Sequence, residues 1–276
     1  MNGFVLARNS SGGNRSGGNR QPLCHCDTMQ ATPRVTAEAT ILLGINPEIP
    51  ANTMLYSDLS TLRAQALEFF IAENVLTFGD FTLKSGRKSP YFFNTGALCS
   101  GRQLATMGQL YAGVIQQVAE FAGAPVIFGS AYKGIPIAVS TAMALAANGS
   151  TTGDSERRAV SDRKEAKTHG DVSGFLGVIR AGDNAVIVDD VITTGGTKLE
   201  AIEKLREAGC TPLGFVIAFD RCEPVDDSGR TAREAFQEQT GLPVHAILSV
   251  HDIIGTRPEL GERLRQHLAT FATEQA

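Results

Sequence analysis
The chain has no apolar run of the roughly 18 residues needed to cross a bilayer. Its best candidate, residues 135–147, is interrupted by Pro136, Ser140 and Thr141 and reads as a buried helix. An excess of one charge is also missing. Twenty-five Lys and Arg stand against 29 Asp and Glu, and the net charge of −4 exerts no general pull on nucleic acid. The five cysteines, at 24, 26, 99, 210 and 222, are odd in number and scattered, which does not suggest a disulfide framework. Cys24-His25-Cys26 lacks the second spaced ligand pair of a zinc site. Asn148-Gly149-Ser150 fits the glycosylation pattern, but no secretory signal accompanies it, so it reads as a loop. Two common phosphate-binding patterns are absent as well: the Walker loop and the dinucleotide Gly-x-Gly-x-x-Gly.

What is present is a 276-residue chain, 42% hydrophobic and 20% charged, enough for one large globular domain or two small ones. Its most informative segment is residues 185–197. Ala185 to Val188 form an apolar, β-branched run, as in a strand covered on both faces. Asp189 and Asp190 follow, then Val191, Ile192, Thr193, Thr194, Gly195, Gly196 and Thr197. Paired glycines allow backbone N–H groups to converge on an anion. The amphipathic helix expected over 198–208, with Leu199, Ile202 and Leu205 on one face and Gly209 as its stop, adds its positive end. Carboxylates repel phosphate, so the aspartates must serve another part of the same ligand. Sugar hydroxyls are the natural choice, with waters on a metal ion as another. The implied ligand is a ribose bearing a phosphate. The plain alternative is an ordinary strand-to-helix turn.

Around this segment, residues 1–55 look different from the rest. The near-repeat from Asn9 to Arg20 is small and polar, and four arginines precede residue 36 against the single Asp27. Such a stretch buries too little apolar surface to offset ordering entropy, so a disordered extension is expected. The extension is expected to be dispensable, or translation to start at Met54. From 56 to 276 strands and helices alternate. A helix capped by Ser57 or Asp58 shows Leu59, Leu62, Ala66 and Phe69 on one face. Strands are expected at 81–84 and 90–94 around Gly86, then a helix near 101–120, strand 126–128, helix 135–147, strands 213–219 and 244–250, and helix 258–269. Residues 148–157 are polar and show no period, within a long polar stretch from Asn148 to Val160. This alternation predicts an α/β fold with a mostly parallel central sheet flanked by helices, and ligands at the carboxyl ends of its strands.

The run 185–197 resembles the phosphoribosyl pyrophosphate signature of type I phosphoribosyltransferases. Three further segments narrow the resemblance to the orotate phosphoribosyltransferase family. They are Phe81 to Asn94, Gly129 to Pro136 and Asp162 to Gly170, and the likeness extends over about 58–276. The resemblance implies a small N-terminal hood built from elements near 58–95 and the C-terminus. It implies transfer of ribose 5-phosphate from phosphoribosyl pyrophosphate to orotate, giving orotidine 5′-monophosphate in de novo pyrimidine biosynthesis. Asp189 and Asp190 match ribose-hydroxyl carboxylates, and residues 193–197 match a 5′-phosphate cradle within the wider 189–197 binding run. Thr193 should also lie near orotate. Capping of the helix is the structural alternative for these hydroxyls. Arg163, Lys164, Lys167 and His169 match a mobile catalytic loop that reaches a neighbouring subunit's site. Lys167 is the expected key pyrophosphate contact, and a solvated charged loop is the alternative. Tyr132 and Lys133 match a pyrophosphate loop, and Lys84 a lysine spanning pyrophosphate and substrate. Phe92, Phe93 and Arg221 match orotate contacts. Against these stand core packing for at least one phenylalanine, and a surface ion pair with Asp220 or Glu223 for Arg221.

Mg²⁺ is implied through pyrophosphate and water, with no all-protein metal site. The resemblance further implies a cytoplasmic homodimer with shared sites and no nucleic-acid or membrane partner. Two rival readings are a transferase acting on purine or uracil, and a non-catalytic sensor of phosphoribosyl pyrophosphate. The lysine-rich loop and the Phe81–Asn94 segment argue against the first. The absence of a helix-turn-helix pattern argues against the second.

Overall fold
The apolar periods and caps of the sequence become a set of helices and two sheets in the computed structural model. It describes residues 56, 58–83, 86–147, 157–163, 174–193, 195–225 and 229–273. The expectations for residues 1–55, Lys84, residues 148–156, Lys164 to Gly170 and Thr194 fall outside the described residues.

Helix α1 (Leu59–Ala72) starts at Asp58, whose carboxylate accepts from Thr61 N at 2.8 Å. It buries Leu62, Ala66 and Phe69, and also Leu67 and Phe70. Strands β1 (Leu76–Thr82) and β2 (Lys88–Phe93) form an antiparallel pair with a register shift between Phe78 and Phe81. The pairing thus begins five residues before the predicted start at 81. Gly79 and Asp80 hide it in the sequence by interrupting the alternation, which a bulge tolerates. Helix α2 (Gly101–Gln117) begins with a capping box of Ser100 and Gln103.

The larger sheet has strand order β5-β4-β3-β6-β7-β8. These are β3 (Val126–Gly129), β4 (Arg158–Asp162), β5 (Phe175–Leu176), β6 (Asn184–Asp189), β7 (Thr211–Asp220) and β8 (Val244–Ser249). All pairs are parallel except β4 with β5. Strand β4 resolves the polar stretch that ends at Val160: its last residues pair with β3, in register Phe128 with Val160.

Alternation in β6 splits the core in two. Val186 and Val188 join Leu62, Leu110 and Ile137 on one face, reached by α1, α2 and α3 (Gly134–Ala147). Ala185 and Ile187 join Ile202, Leu205 and Phe236 on the other, reached by α4 (Gly196–Glu207) and α5 (Ala232–Thr240). A continuous apolar run is what a strand covered on both faces requires.

Two helices are absent from the sequence reading. α5 opens with the capping box Thr231–Glu234, and α6 (Val250–Thr256) opens with Ser249–Asp252. The second box ends β8 at Ser249, one residue short of the expected 250. Helix α7 (Pro258–Thr273) brings His267 edge-on to Tyr91 of β2, ring centroids 5.9 Å apart. Phe93 stacks on Phe219 near the end of β7, centroids 4.9 Å apart. Hairpin and C-terminal helix thus meet over the carboxyl end of the sheet.

Candidate active site
The site grows from the end of β6. Asp189 is its last residue, and Asp190 begins the turn into α4. The Asp190 carbonyl accepts from Ala218 N at 3.0 Å and Phe219 N at 3.1 Å, which ties this turn to β7 and to Arg221 just beyond it. Tyr111 of α2 donates its hydroxyl to the Asp189 carbonyl at 2.8 Å. Burial and the two nearby aspartates push the Tyr111 hydroxyl well above its ordinary range, so it remains a donor.

Each aspartate has a lysine partner. Lys133 Nζ lies 2.8 Å from Asp190 Oδ2, and Lys198 Nζ lies 2.7 Å from Asp189 Oδ2. The two pairs differ in surroundings. The Lys133 side chain is 54% exposed and the Lys198 side chain 8%. Burial raises the Asp189 carboxyl pKa, Lys198 opposes that rise, and neighbouring Asp190 adds to it. Lys198 was read only as the start of the helix. Its signal lay in spacing, since Ile202 and Leu205 follow at four and seven residues and share its buried side.

Gly195 is the N-cap of α4 with φ 74° and supplies no side-chain cap bond. The expected alternative of hydroxyl capping is therefore not found among the described residues, and Thr193, Gly196 and Thr197 are exposed at this end. A Cβ on Gly195 would also lie 2.7 Å from Phe236. Val191 is half-buried and Ile192 buried, so the side chain of Ile192 serves the core.

The loop after β3 faces this turn. The close approach of Gly129 and Gly134 lets it fold back sharply: a Cβ on Gly129 would sit 2.0 Å from the Gly134 carbonyl oxygen. Asp162 at the end of β4 accepts from Ala131 N at 2.7 Å and from Lys204 Nζ at 2.8 Å. It fixes the stem that presents Tyr132, 70% exposed, and Lys133. Burial alone would raise the Asp162 pKa, but these donors lower it, so it is anionic at neutral pH. Arg163 donates Nε to the Phe175 carbonyl at 2.9 Å and its backbone N to Gly174 at 2.8 Å. Its side chain ties the end of β4 to β5.

On the opposite side, Phe92 is 41% exposed and Phe93 is 9% exposed. Adjacent strand residues point to opposite faces, and here only Phe92 faces outward. Phe93 is a core side chain, held edge-on by Phe70 and stacked on Phe219. Arg221 pairs with Glu223, one of the two expected partners, but the pair is largely buried and not at the surface, and Asp220 pairs with Arg233. Glu223 and His267 belong to the surroundings of Arg221; the sequence offered Glu223 only as an ion-pair partner and gave His267 no role.

An open parallel sheet whose central strand ends in two carboxylates, a glycine turn and a helix N-terminus defines a phosphoribosyltransferase. The Phosphoribosyl transferase domain model matches residues 103–246. An orotate phosphoribosyltransferase of Methylococcus capsulatus is 43% identical over 198 residues, covering 71% of this chain and 88% of that relative. One of Bifidobacterium longum is 40% identical over 229 residues, covering 78% and 97%. The crystal structure of orotate phosphoribosyltransferase from Francisella tularensis matches with a TM-score of 0.65 and 31% identity, over 75% of this chain and 98% of that one. The chain belongs to the orotate phosphoribosyltransferase family.

Proposed function
We infer that this site transfers ribose 5-phosphate from phosphoribosyl pyrophosphate to orotate, releasing pyrophosphate, as a step of pyrimidine nucleotide synthesis. The observation that carries the reading is the juxtaposition, at the carboxyl ends of β3 and β6, of the Asp189–Asp190 turn, the uncapped N-terminus of α4 and the Lys133 loop. The backbone N–H groups at 195–197 receive the 5′-phosphate, where helix dipole and unpaired donors favour an anion. Asp190 exchanges Lys133 for ribose hydroxyls when substrate enters, and Lys133 turns to the pyrophosphate. Asp189, fixed by Lys198, keeps its carboxylate beside the sugar.

Loss of pyrophosphate leaves positive charge on the anomeric carbon, as in glycoside cleavage. Two carboxylates beside the ring stabilise that charge, and cations near the leaving group stabilise pyrophosphate. Orotate is positioned by Phe92 and Arg221 so that its ring nitrogen attacks the anomeric carbon and takes the place of pyrophosphate. Lys84, Tyr132, Arg163, Lys164, Lys167 and His169 are assigned to the leaving pyrophosphate by the family resemblance. Mg²⁺ would be held mainly through pyrophosphate and water, with Asp189 and Asp190 as the carboxylates near it. When bound, Mg²⁺ supplies charge neutralisation to the pyrophosphate. The family resemblance supports a cytoplasmic homodimer in which the 163–169 loop completes the neighbouring site. No helix among the described residues is long and apolar enough to cross a membrane.

The test is ultraviolet absorbance of orotate with purified protein, Mg²⁺ and phosphoribosyl pyrophosphate, beside assays with uracil and purine bases. Orotate is expected to disappear only when every component is present. Turnover of another base instead, or binding of phosphoribosyl pyrophosphate without any turnover, would overturn the reading. For the shared site, a Lys167→Ala subunit mixed with an Asp189→Asn subunit is expected to regain activity. Verified mixed dimers that stay inactive would refute the shared arrangement.

A further inference from the structure
Glu223 is a buried carboxylate that gathers partners from three separated parts of the chain. Its Oε1 accepts the Tyr91 hydroxyl of β2 at 3.1 Å, accepts from Arg221 Nη2, and lies 3.0 Å from His267 Nε2 on α7. Its Oε2 lies 4.0 Å from Arg87 Nη2 beside the hairpin turn. The side chains of Glu223 and His267 are 7% and 9% exposed. Burial would raise the Glu223 pKa, but hydrogen bonds and charge from His267 and Arg221 outweigh it and bring the carboxyl down to about 2. A buried anion so held is costly unless every partner remains in place.

The same contacts fix Arg221. Its guanidinium carbon lies 4.6 Å over the Tyr91 ring centroid, and Nη2 also donates to Ser89 Oγ at 3.3 Å. Both hydrogen bonds use Nη2, and Nε and Nη1 make none among the described residues. A long arginine side chain that is stacked and tied at one corner presents its remaining donors in a single plane. That plane suits the flat carboxylate and carbonyl groups of a pyrimidine acid.

We propose that Glu223 is a positioning residue for the pyrimidine side of the site, orienting Arg221 toward the carboxylate or carbonyl of orotate, with His267 of α7 holding Glu223 in place. The C-terminal helix thereby acts on substrate selection without touching substrate. This inference rests on the assignment of Arg221 as an orotate contact.

A double-mutant cycle on the full chain tests it, with Glu223→Gln, Arg221→Ala and both together. Orotate affinity is read as KM and as a dissociation constant by calorimetry, so that a slow variant still reports. Glu223→Gln is expected to raise the orotate constants roughly tenfold and the phosphoribosyl pyrophosphate KM less than about twofold, the scale of a lost charged hydrogen bond. In the Arg221→Ala background the same change is expected to alter orotate affinity less than about twofold. An equal loss in both backgrounds, or an equal rise in the KM of both substrates, would make Glu223 a structural tether and overturn the proposal. Should Glu223→Gln fail to fold, His267→Phe keeps the ring contacts to Tyr91 and Phe271 while deleting the donor, and the cycle is run with it. Its expected effect is about threefold on orotate alone, for a weaker, indirect contact. If Arg221→Ala leaves orotate affinity unchanged, the Arg221 assignment fails with the proposal, while orotate turnover by the unaltered protein still stands.

Discussion
Lys198 shows how one side chain sets the chemistry of another. Its ammonium and the Asp189 carboxylate are both nearly buried, and either left alone would be an uncompensated charge. Lys198→Met is expected to destabilise the fold by about 3 kcal/mol in denaturant unfolding. It should also push the already raised Asp189 pKa further up, because the opposing charge is gone while burial and Asp190 remain. The acid limb of kcat/KM for phosphoribosyl pyrophosphate should then move to higher pH. An unchanged limb in a folded variant would show that Asp189 does not need to be ionised for reaction. Burial acts in the same direction on Cys222: its thiol is pushed up to about 12 and has no thiolate character at neutral pH.

At the scale of elements, the hairpin β1–β2 divides two neighbouring phenylalanines between different tasks. Phe93 is held between Phe70 and Phe219, and Phe92 faces outward, its ring 5.7 Å from that of Phe81. Phe93→Ala is expected to cost about 3–5 kcal/mol of stability, the usual range for emptying a buried aromatic site. Phe92→Ala should cost less than about 1 kcal/mol because the ring is already partly in water. Its effect should appear instead as a rise in orotate KM. Thermal unfolding and steady-state kinetics on both variants separate the two roles, and the reverse assignment would invert both readouts. The pattern of strand alternation announced that the two rings part company. Which one turned inward depended on the register with β1 and on the position of Phe219, 126 residues after Phe93 in the chain.

Across the whole molecule, Glu223 joins the hairpin, the end of β7 and the C-terminal helix through one carboxylate. Its folded pKa of about 2 lies below the ordinary 4.5. The stabilisation is therefore fully present above pH 4.5 and is lost as pH falls toward 2. The shift corresponds to about 3 kcal/mol at neutral pH. The thermal midpoint of the unaltered protein should fall steeply over that interval, and Glu223→Gln should start lower and fall less. Parallel curves for the two proteins would show that Glu223 titrates alike in the folded and unfolded chain.

The segment 185–209 was legible from sequence because its chemistry is local. An apolar strand, two carboxylates, a glycine turn and a periodic helix follow one another directly, and parallel-sheet geometry places such a turn at a ligand-binding edge. The capping boxes at Thr231 and Ser249 were equally local signals, although neither helix was read from them. By contrast, the pairing of Lys133 with Asp190 spans 57 residues, Arg221 is held partly by Ser89 across 132, and Glu223 is held by Tyr91 across 132 and by His267 across 44. Sequence by itself determined which residues carry charge, the order of strand, carboxylate pair, glycine turn and helix over 185–209, and a ribose bearing a phosphate as the ligand to expect. Tertiary structure decided which charges meet, which phenylalanine is buried and which carboxylate orients Arg221. Those outcomes depend on parallel strand order and on the return of α7 over the hairpin, since only the packed sheet brings such distant side chains within hydrogen-bond range and removes the water that would otherwise screen them.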